Sequence, residues 1–119
     1  MSGARAIPLS VHAAIETVAA PAIMAAPFLL GFGETSAVVA FAIGVILLGL
    51  ALQAVGPGRT IPLSAHAPFD YLLSIAAALG GLGVGLATGE WGEGIFLVGI
   101  GVALASLTAS TRFSVPAGA

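Results

Sequence analysis

The sequence contains no cysteine, and only 7% of its 119 residues are charged. The absence of cysteine excludes disulfides, thiol catalysis, and zinc or iron–sulfur sites built on thiolates. A soluble domain carries about 25% charged residues, so this chain has too few charges to cover a surface that faces water. With 59% hydrophobic residues and a mean hydropathy of +1.15, the composition predicts a protein that resides in the lipid bilayer.

The chain has only three basic residues, all of them arginine. The net charge is −2 and no basic run is present. Proteins that bind nucleic acid carry a basic patch or stripe that neutralises phosphates. The sequence therefore predicts no nucleic-acid partner.

A twelve-residue motif occurs twice in the chain. Residues 5–16 read RAIPLSVHAAIE and residues 59–70 read RTIPLSAHAPFD, with seven identical positions and an acid at the end of both copies. The sixteen residues that follow each copy share only two identities, so the chain is a duplicated unit whose halves differ outside the motif. We expect a first repeat over residues 1–56 and a second over residues 57–119, with the Gly-Pro-Gly of residues 56–58 at the boundary.

Each repeat contains two long apolar segments, which predict four transmembrane helices. A helix of about 20 residues spans the roughly 30 Å hydrocarbon layer. The four helices are expected at about residues 11–30, 37–53, 67–86 and 95–111. Ser10 and Ser64 precede the first and third helices and are the predicted N-caps. Since Pro68 suits a first helical turn, the third helix is expected to begin only near Ala67.

Two spans in each repeat give both repeats the same orientation in the membrane. The predicted fold class is an all-α membrane protein, a four-helix bundle made of two tandem two-helix repeats. Repeats of the same orientation are related by a pseudo-twofold axis along the membrane normal. The first and third helices are then equivalent, and the two copies of the motif lie at the same depth.

The charged residues predict how the bundle is oriented. Basic residues lie on one side of the predicted membrane, and the acidic residues of the turns lie on the other. The two groups are Arg5, Arg59 and Arg112 against Glu34, Glu90 and Glu93. The positive-inside rule then predicts that both termini are cytoplasmic. We expect an integral protein of the bacterial cytoplasmic membrane, with the three glutamates solvated on the outer side.

Both histidines of the chain lie in the duplicated motif, and each is followed four residues later by an acid. The pairs are His12 with Glu16 and His66 with Asp70. Residues four apart on a helix share a face. Small residues continue these faces, and Gly81 with Gly85 forms a GxxxG pair, which favours close packing of membrane helices. We therefore expect the first and third helices to meet, with two imidazoles and two carboxylates facing each other.

Four interpretations of this predicted cluster remain open. In the first it is a structural network, in which Arg5 and Arg59 neutralise Glu16 and Asp70 and the histidines bond to the carboxylates or cap the helix starts. In the second, the two histidines and two carboxylates bind a divalent metal such as zinc, iron or manganese. The third is a bis-histidine haem with its propionates near the arginines. The fourth is a proton or ion pathway through the carboxylates, because intramembrane acids mark such relays.

No motif in the sequence indicates an enzyme. Ser10 and Ser64 each precede a histidine by two residues, but neither a nucleophile elbow nor an oxyanion hole accompanies them. The glycines of residues 81–85 lie inside an apolar span with no preceding strand, so they are not a dinucleotide fingerprint. We expect a non-enzymatic structural or accessory membrane protein that self-associates or binds a partner membrane protein. A metal- or haem-binding membrane protein and an oligomeric transporter or channel component are the alternatives.

Residues 26–32, APFLLGF, resemble the SPW-repeat family of small bacterial membrane proteins. The two-helix repeat of that family carries Ser-Pro-Trp near the end of its first helix, where this chain has Ala-Pro-Phe. The second repeat departs from the pattern, with GGL at residues 80–82. The resemblance implies the hairpin layout and a bacterial membrane, and it implies no activity.

Overall fold

The computed structural model describes residues 5–55 and 62–113, and these are almost entirely helical. The helices are α1 (Leu9–Leu29), α2 (Glu34–Val55), α3 (Leu63–Thr88) and α4 (Trp91–Ala109), with two short strands, β1 (Ile7–Pro8) and β2 (Thr111–Arg112). Each of the four helices is long and apolar enough to cross a membrane. The prediction of an all-α protein with four membrane-length helices is confirmed.

Large apolar side chains cover the outside of every helix. Val18 on α1, Val38 on α2, Leu86 on α3 and Ile95 on α4 expose 75%, 62%, 72% and 66% of their surface. A contiguous apolar exterior of this kind is rare on soluble monomers. In a bilayer it is the surface that contacts lipid, so the side-chain arrangement agrees with the membrane assignment.

The two helices that carry the motif begin directly after a proline. Pro8 and Pro62 occupy the N-cap positions, and neither helix start has a side-chain capping hydrogen bond. The prediction that Ser10 and Ser64 cap these helices is therefore wrong, since each serine is the second residue of its helix. The prolines hold φ near −65° and have ψ values of 154° and 143°. Extended backbone thus lasts through the proline, and the helix starts at the next residue.

The third helix starts earlier than predicted. It begins at Leu63 rather than near Ala67, so Pro68 lies inside the helix. A proline there removes the backbone hydrogen bond that residue 68 would otherwise donate to the carbonyl of Ser64. Ser64 is exposed, and the loss is confined to the first turn. Because of the early start, the whole second copy of the His-x-x-x-acid pair is helical.

Two short turns close the helical hairpins. Gly31 and Gly89 have φ of 70° and 74°, the left-handed conformation that commonly ends a helix. The N–H of Gly89 donates to the carbonyl of Gly85 at 2.9 Å. Since α2 and α4 begin at Glu34 and Trp91, the turns are shorter than predicted, and several residues expected in turns form the first helical turns.

The bundle is built from two hairpins that meet through their inner helices. Within the described residues α1 packs on α2, α3 packs on α4, and α2 packs on α3. One core contains buried apolar side chains from all four helices: Ala20, Ala40, Ile43, Leu47, Leu50, Leu73, Ala77, Val84, Leu97 and Leu104. The parallel β1–β2 pair sets Ile7 opposite Thr111 and Pro8 opposite Arg112. This pairing brings the end of α4 to the start of α1, where the motif lies.

The GxxxG pair of α3 packs closely, but its partner is not the predicted one. A Cβ placed on Gly81 would meet the carbonyl oxygen of Gly94 and lie 2.8 Å from the backbone nitrogen of Val98. A Cβ on Gly85 would lie 2.7 Å from Cδ2 of Trp91. Both glycines therefore face α4 and not α1, because the short turn after α3 holds α4 against the second half of that helix.

Gly81→Ala should lower the thermal stability of the protein in detergent. The added methyl group meets backbone atoms of α4, which cannot rotate away, and such overpacking destabilises by about 1–3 kcal/mol. Gly83→Ala on the same helix is the matched control, because nothing lies within 4 Å of a Cβ there. This control should be neutral or stabilising by up to about 1 kcal/mol through helix propensity. Equal melting temperatures for the two variants would contradict close contact at Gly81.

Candidate functional site

The structure brings together the four ionisable side chains of the duplicated motif. His12 and Glu16 come from α1, and His66 and Asp70 come from α3. Each residue offers one ligand atom, and these atoms all lie within 4.8 Å of one another. The side chains are buried, with exposures of 0%, 1%, 2% and 0%. The i, i+4 spacing places each pair on one helix face, and the two faces meet.

Each imidazole contacts the carboxylates of both helices. His12 Nε2 lies 2.9 Å from Asp70 Oδ2 and 3.0 Å from Glu16 Oε2. His66 Nε2 lies 3.1 Å from Asp70 Oδ2 and 3.5 Å from Glu16 Oε1. The contacts are reciprocal, since every histidine approaches its own acid and the acid of the other repeat. Four potential ligand atoms thus surround one small volume.

The hydrogen bonds of Thr111 determine which nitrogen of His12 carries a proton. Thr111 Oγ1 donates to the carbonyl oxygen of Leu107 at 2.6 Å, so at 2.8 Å it can only accept from His12 Nδ1. A neutral imidazole has one N–H and one lone pair. With Nδ1 protonated, the lone pair of Nε2 is directed at the carboxylate oxygens. A positive species, either a second proton or a metal ion, is needed between them.

Several polar atoms of the cluster have no hydrogen-bond partner among the described residues. They are both carboxylate oxygens of Glu16, Asp70 Oδ1 and His66 Nε2. A buried polar atom without a partner destabilises the fold by about 1–3 kcal/mol, and more when the group is charged. The Glu16 carboxylate thus contacts the two histidine nitrogens at 3.0 and 3.5 Å without forming a hydrogen bond, and a cation between these atoms would complete the contacts.

Arg5 does not supply the neutralising charge that was predicted for the cluster. Arg5 is exposed, and among the described residues every ion pair joins a cluster histidine to a cluster carboxylate. Of the structural network, the structure therefore shows the histidine–carboxylate contacts, and the predicted pairing of Arg5 with Glu16 or Asp70 is wrong. Arg5 precedes β1, outside the helix that carries the cluster. Arg59 lies outside the described residues.

Sequence reasoning missed two residues at the cluster, Thr111 and Phe113. Thr111 binds His12 across 99 positions of the chain, and the ring of Phe113 lies 5.0 Å from the His12 ring and 5.5 Å from the His66 ring. Neither residue belongs to the duplicated motif. Their roles arise from the β1–β2 pairing, for which two-residue strands leave no sequence signal.

At the opposite end of the bundle, Glu93 differs from the expectation that it is solvated. Its Oε1 accepts the Ser36 hydroxyl at 2.5 Å and the Gly33 amide at 3.2 Å. Gly33 immediately precedes α2, where free amides attract carboxylates. Glu34 and Glu90 are exposed. Glu93 therefore links the two hairpins at this end, with Ser36 buried beneath it.

Comparison with known proteins gives no relative from which a function could be transferred. No family model, curated protein or solved structure matches the chain. The resemblance to SPW-repeat proteins therefore stays a prediction.

Proposed function

We propose that this protein is a non-enzymatic integral membrane protein that binds one divalent transition-metal ion between α1 and α3. The observation that carries the proposal is the convergence of four buried ligand atoms within 4.8 Å, from His12, Glu16, His66 and Asp70. Two carboxylates and two neutral imidazoles carry a charge of −2, which one divalent ion cancels. That balance matters, because an uncompensated buried charge is strongly destabilising.

The donor set suits zinc, iron(II) or manganese. Imidazole nitrogens and carboxylate oxygens bind all three, whereas magnesium and calcium prefer oxygen ligands alone. Ligand atoms at 2.0–2.1 Å from a tetrahedral ion lie about 3.3 Å from one another. The histidine–carboxylate separations in the cluster run from 2.9 to 3.5 Å. The four ligand atoms lie within 4.8 Å of one another, so the more distant pairs would approach by up to about 1.5 Å to reach the roughly 3.3 Å of a tetrahedral site.

The same geometry favours a metal ion over haem. In a bis-histidine haem the porphyrin lies between the two imidazoles, with no carboxylate on that axis. Here the Nε2 atoms of His12 and His66 approach the same oxygen of Asp70, at 2.9 and 3.1 Å. The carboxylates thus occupy the space that a porphyrin would need.

Metal titration of the purified protein tests the proposal. The protein in non-ionic detergent is dialysed against Zn²⁺, Fe²⁺ or Mn²⁺ at controlled concentration, and bound metal per chain is measured. We expect one ion per chain, lost in Glu16→Gln and retained in Glu34→Gln. The control removes the same charge from an exposed position at the other end of the bundle. No bound metal in the wild type, or equal loss in both variants, would contradict the proposal.

We also propose that the two tandem hairpins are related by a pseudo-twofold axis along the membrane normal. This axis would place equivalent residues of the repeats opposite each other. Two observations support this arrangement at the cluster: the duplicated motif, and the reciprocal contacts of His12 with Asp70 and of His66 with Glu16. Among the described residues the packing of α2 on α3 has no equivalent of the same extent between α4 and α1, so the proposed symmetry applies to the helices that carry the motif. The proposed location is the bacterial cytoplasmic membrane, with both termini in the cytoplasm, because Arg5 and Arg112 lie at the end of the bundle formed by β1 and β2, and basic residues favour the cytoplasmic side.

Cysteine labelling tests this orientation. The natural chain has no cysteine, so Ser2→Cys and Glu90→Cys each introduce a single reactive thiol. We expect a membrane-impermeant maleimide, added to intact cells, to label residue 90 and not residue 2. Cell lysis should expose both positions. Labelling of both thiols in intact cells, or of residue 2 alone, would refute the proposed orientation.

A structural or accessory role through self-association is the second candidate function. Gly49 on α2 and Gly99 on α4 are exposed, and nothing lies within 4 Å of a Cβ at either of them. Small residues on a lipid-facing surface allow another helix to approach closely. A second copy of the chain or a partner membrane protein is the proposed occupant. An oligomeric transporter or channel would use the same surfaces. Crosslinking in native membranes tests the association on which both roles depend.

A further inference from the structure

The residues after α4 cross the end of the bundle at which the cluster lies. The carbonyl of Ser110 accepts the N–H of Ile7 at 3.0 Å, and β2 pairs in parallel with β1. These backbone contacts hold residues 110–113 beside the start of α1. Two side chains of this segment, Thr111 and Phe113, reach the cluster as a result.

Thr111 contacts the cluster through the side of His12 that faces away from the carboxylates. Its side chain is 1% exposed, and its hydroxyl proton is committed to the carbonyl of Leu107 at 2.6 Å. The oxygen is therefore an acceptor for His12 Nδ1–H at 2.8 Å. Nε2 is then the nitrogen that faces Glu16 and Asp70 and that is available to bind a metal ion.

Phe113 covers both imidazoles at the end of the bundle. Its ring centroid lies 5.0 Å from that of His12 and 5.5 Å from that of His66. The ring also packs against the buried apolar cluster of Leu9, Ala13 and Ala54. Since Phe113 is partly exposed and both histidines are buried, its side chain separates the imidazoles from the exterior there.

We propose that residues 110–113 form a clasp over the metal site, with Thr111 as a positioning residue and Phe113 as the closing side chain. The inference rests on the proposed function. A ligating histidine usually donates its second N–H to a fixed acceptor, which sets the tautomer and the ring orientation. Thr111 supplies that acceptor for His12. The apolar shell around a metal site controls access of solvent, and Phe113 supplies this shell where the chain would otherwise leave the histidines open.

The Thr111→Val variant tests the positioning role, with Thr111→Ser as the matched control. Valine keeps the shape and removes the acceptor, whereas serine keeps the acceptor. We expect the affinity for Zn²⁺, measured by competition with a chromophoric chelator, to fall about 10–100-fold in Thr111→Val. Thr111→Ser should stay near the wild type. Nitrogen NMR of ¹⁵N-histidine protein should show a single Nδ1–H tautomer for His12 in the wild type and a mixture in Thr111→Val.

The closing role is tested by the rate of metal exchange. Phe113→Ala should release Zn²⁺ to excess chelator several-fold faster than the wild type, and it should also load faster. Phe113→Leu fills most of the same space and should exchange at nearly the wild-type rate. Unchanged release from Phe113→Ala would overturn the closing role.

Failure of the clasp and failure of the proposed function give different results. If the wild type binds Zn²⁺ and Thr111→Val binds it equally tightly with an unchanged His12 tautomer, the clasp is wrong and the metal site stands. If the wild type binds no metal, the proposed function fails. The proposed role of the clasp at a metal site then fails as well. A change of the His12 tautomer in Thr111→Val would in that case show only that Thr111 accepts a hydrogen bond from His12 Nδ1–H.

Discussion

Replacing either histidine with alanine should abolish stoichiometric metal binding. His12→Ala and His66→Ala each remove one of four ligands, and the loss should exceed the roughly 10–100-fold that follows removal of an outer-shell partner. In each single variant one histidine and two carboxylates remain, so the buried site has three ligands instead of four. Isothermal titration with Zn²⁺ measures the effect in each variant.

The double variant is the control for this prediction. If both histidines bind the same ion, His12→Ala with His66→Ala should bind no more weakly than either single variant, because the site is already lost. Residues that act on one ligand are non-additive in this way. A loss of affinity in the double variant that equals the sum of the two single losses would mean that the histidines do not share an ion. Full affinity in either single variant would mean the same.

Removing the metal should destabilise the wild-type protein and leave the ligand variants unchanged. A ligand that binds only the folded state stabilises it by RT ln(1 + [L]/Kd), about 2.7 kcal/mol when the free ligand is at 100 times Kd. A strong chelator added to the zinc-loaded protein should therefore lower its melting temperature. In His66→Ala the chelator should have no effect.

An equal shift in wild type and variant would contradict this linkage. It would show that the chelator acts on the detergent or on a metal bound elsewhere. Glu34→Gln again serves as the control, since it leaves all four ligands in place and should respond to the chelator as the wild type does.

Composition and helix length were sufficient to predict the bundle, because few charges and four long apolar runs admit few other folds. The helix starts were not predictable to the residue. Serine before a helix suggests a cap, but Pro8 and Pro62 had already set the end of the extended backbone. The partner of Gly81 was also beyond the sequence, since a stripe of small residues does not state which neighbouring helix it faces.

The four cluster residues could be proposed from spacing, because i, i+4 pairs in a duplicated motif share helix faces. The contacts of Thr111 and Phe113 could not, since they depend on a two-residue strand pair between distant parts of the chain. The predicted pairing of Arg5 shows a further limit of the sequence. Opposite charges in one motif suggest an ion pair, whereas the carboxylates in the structure contact the two histidines.

X-ray absorption at the metal edge of the zinc-loaded protein is the most direct test of a metal site between His12 and His66. We expect a first shell of nitrogen and oxygen at about 2.0–2.1 Å, with the outer-shell scattering of two imidazoles per zinc. In His66→Ala, which should bind no stoichiometric zinc, this spectrum should be absent. A wild-type spectrum with oxygen ligands alone, and no imidazole scattering, would contradict a metal site between His12 and His66.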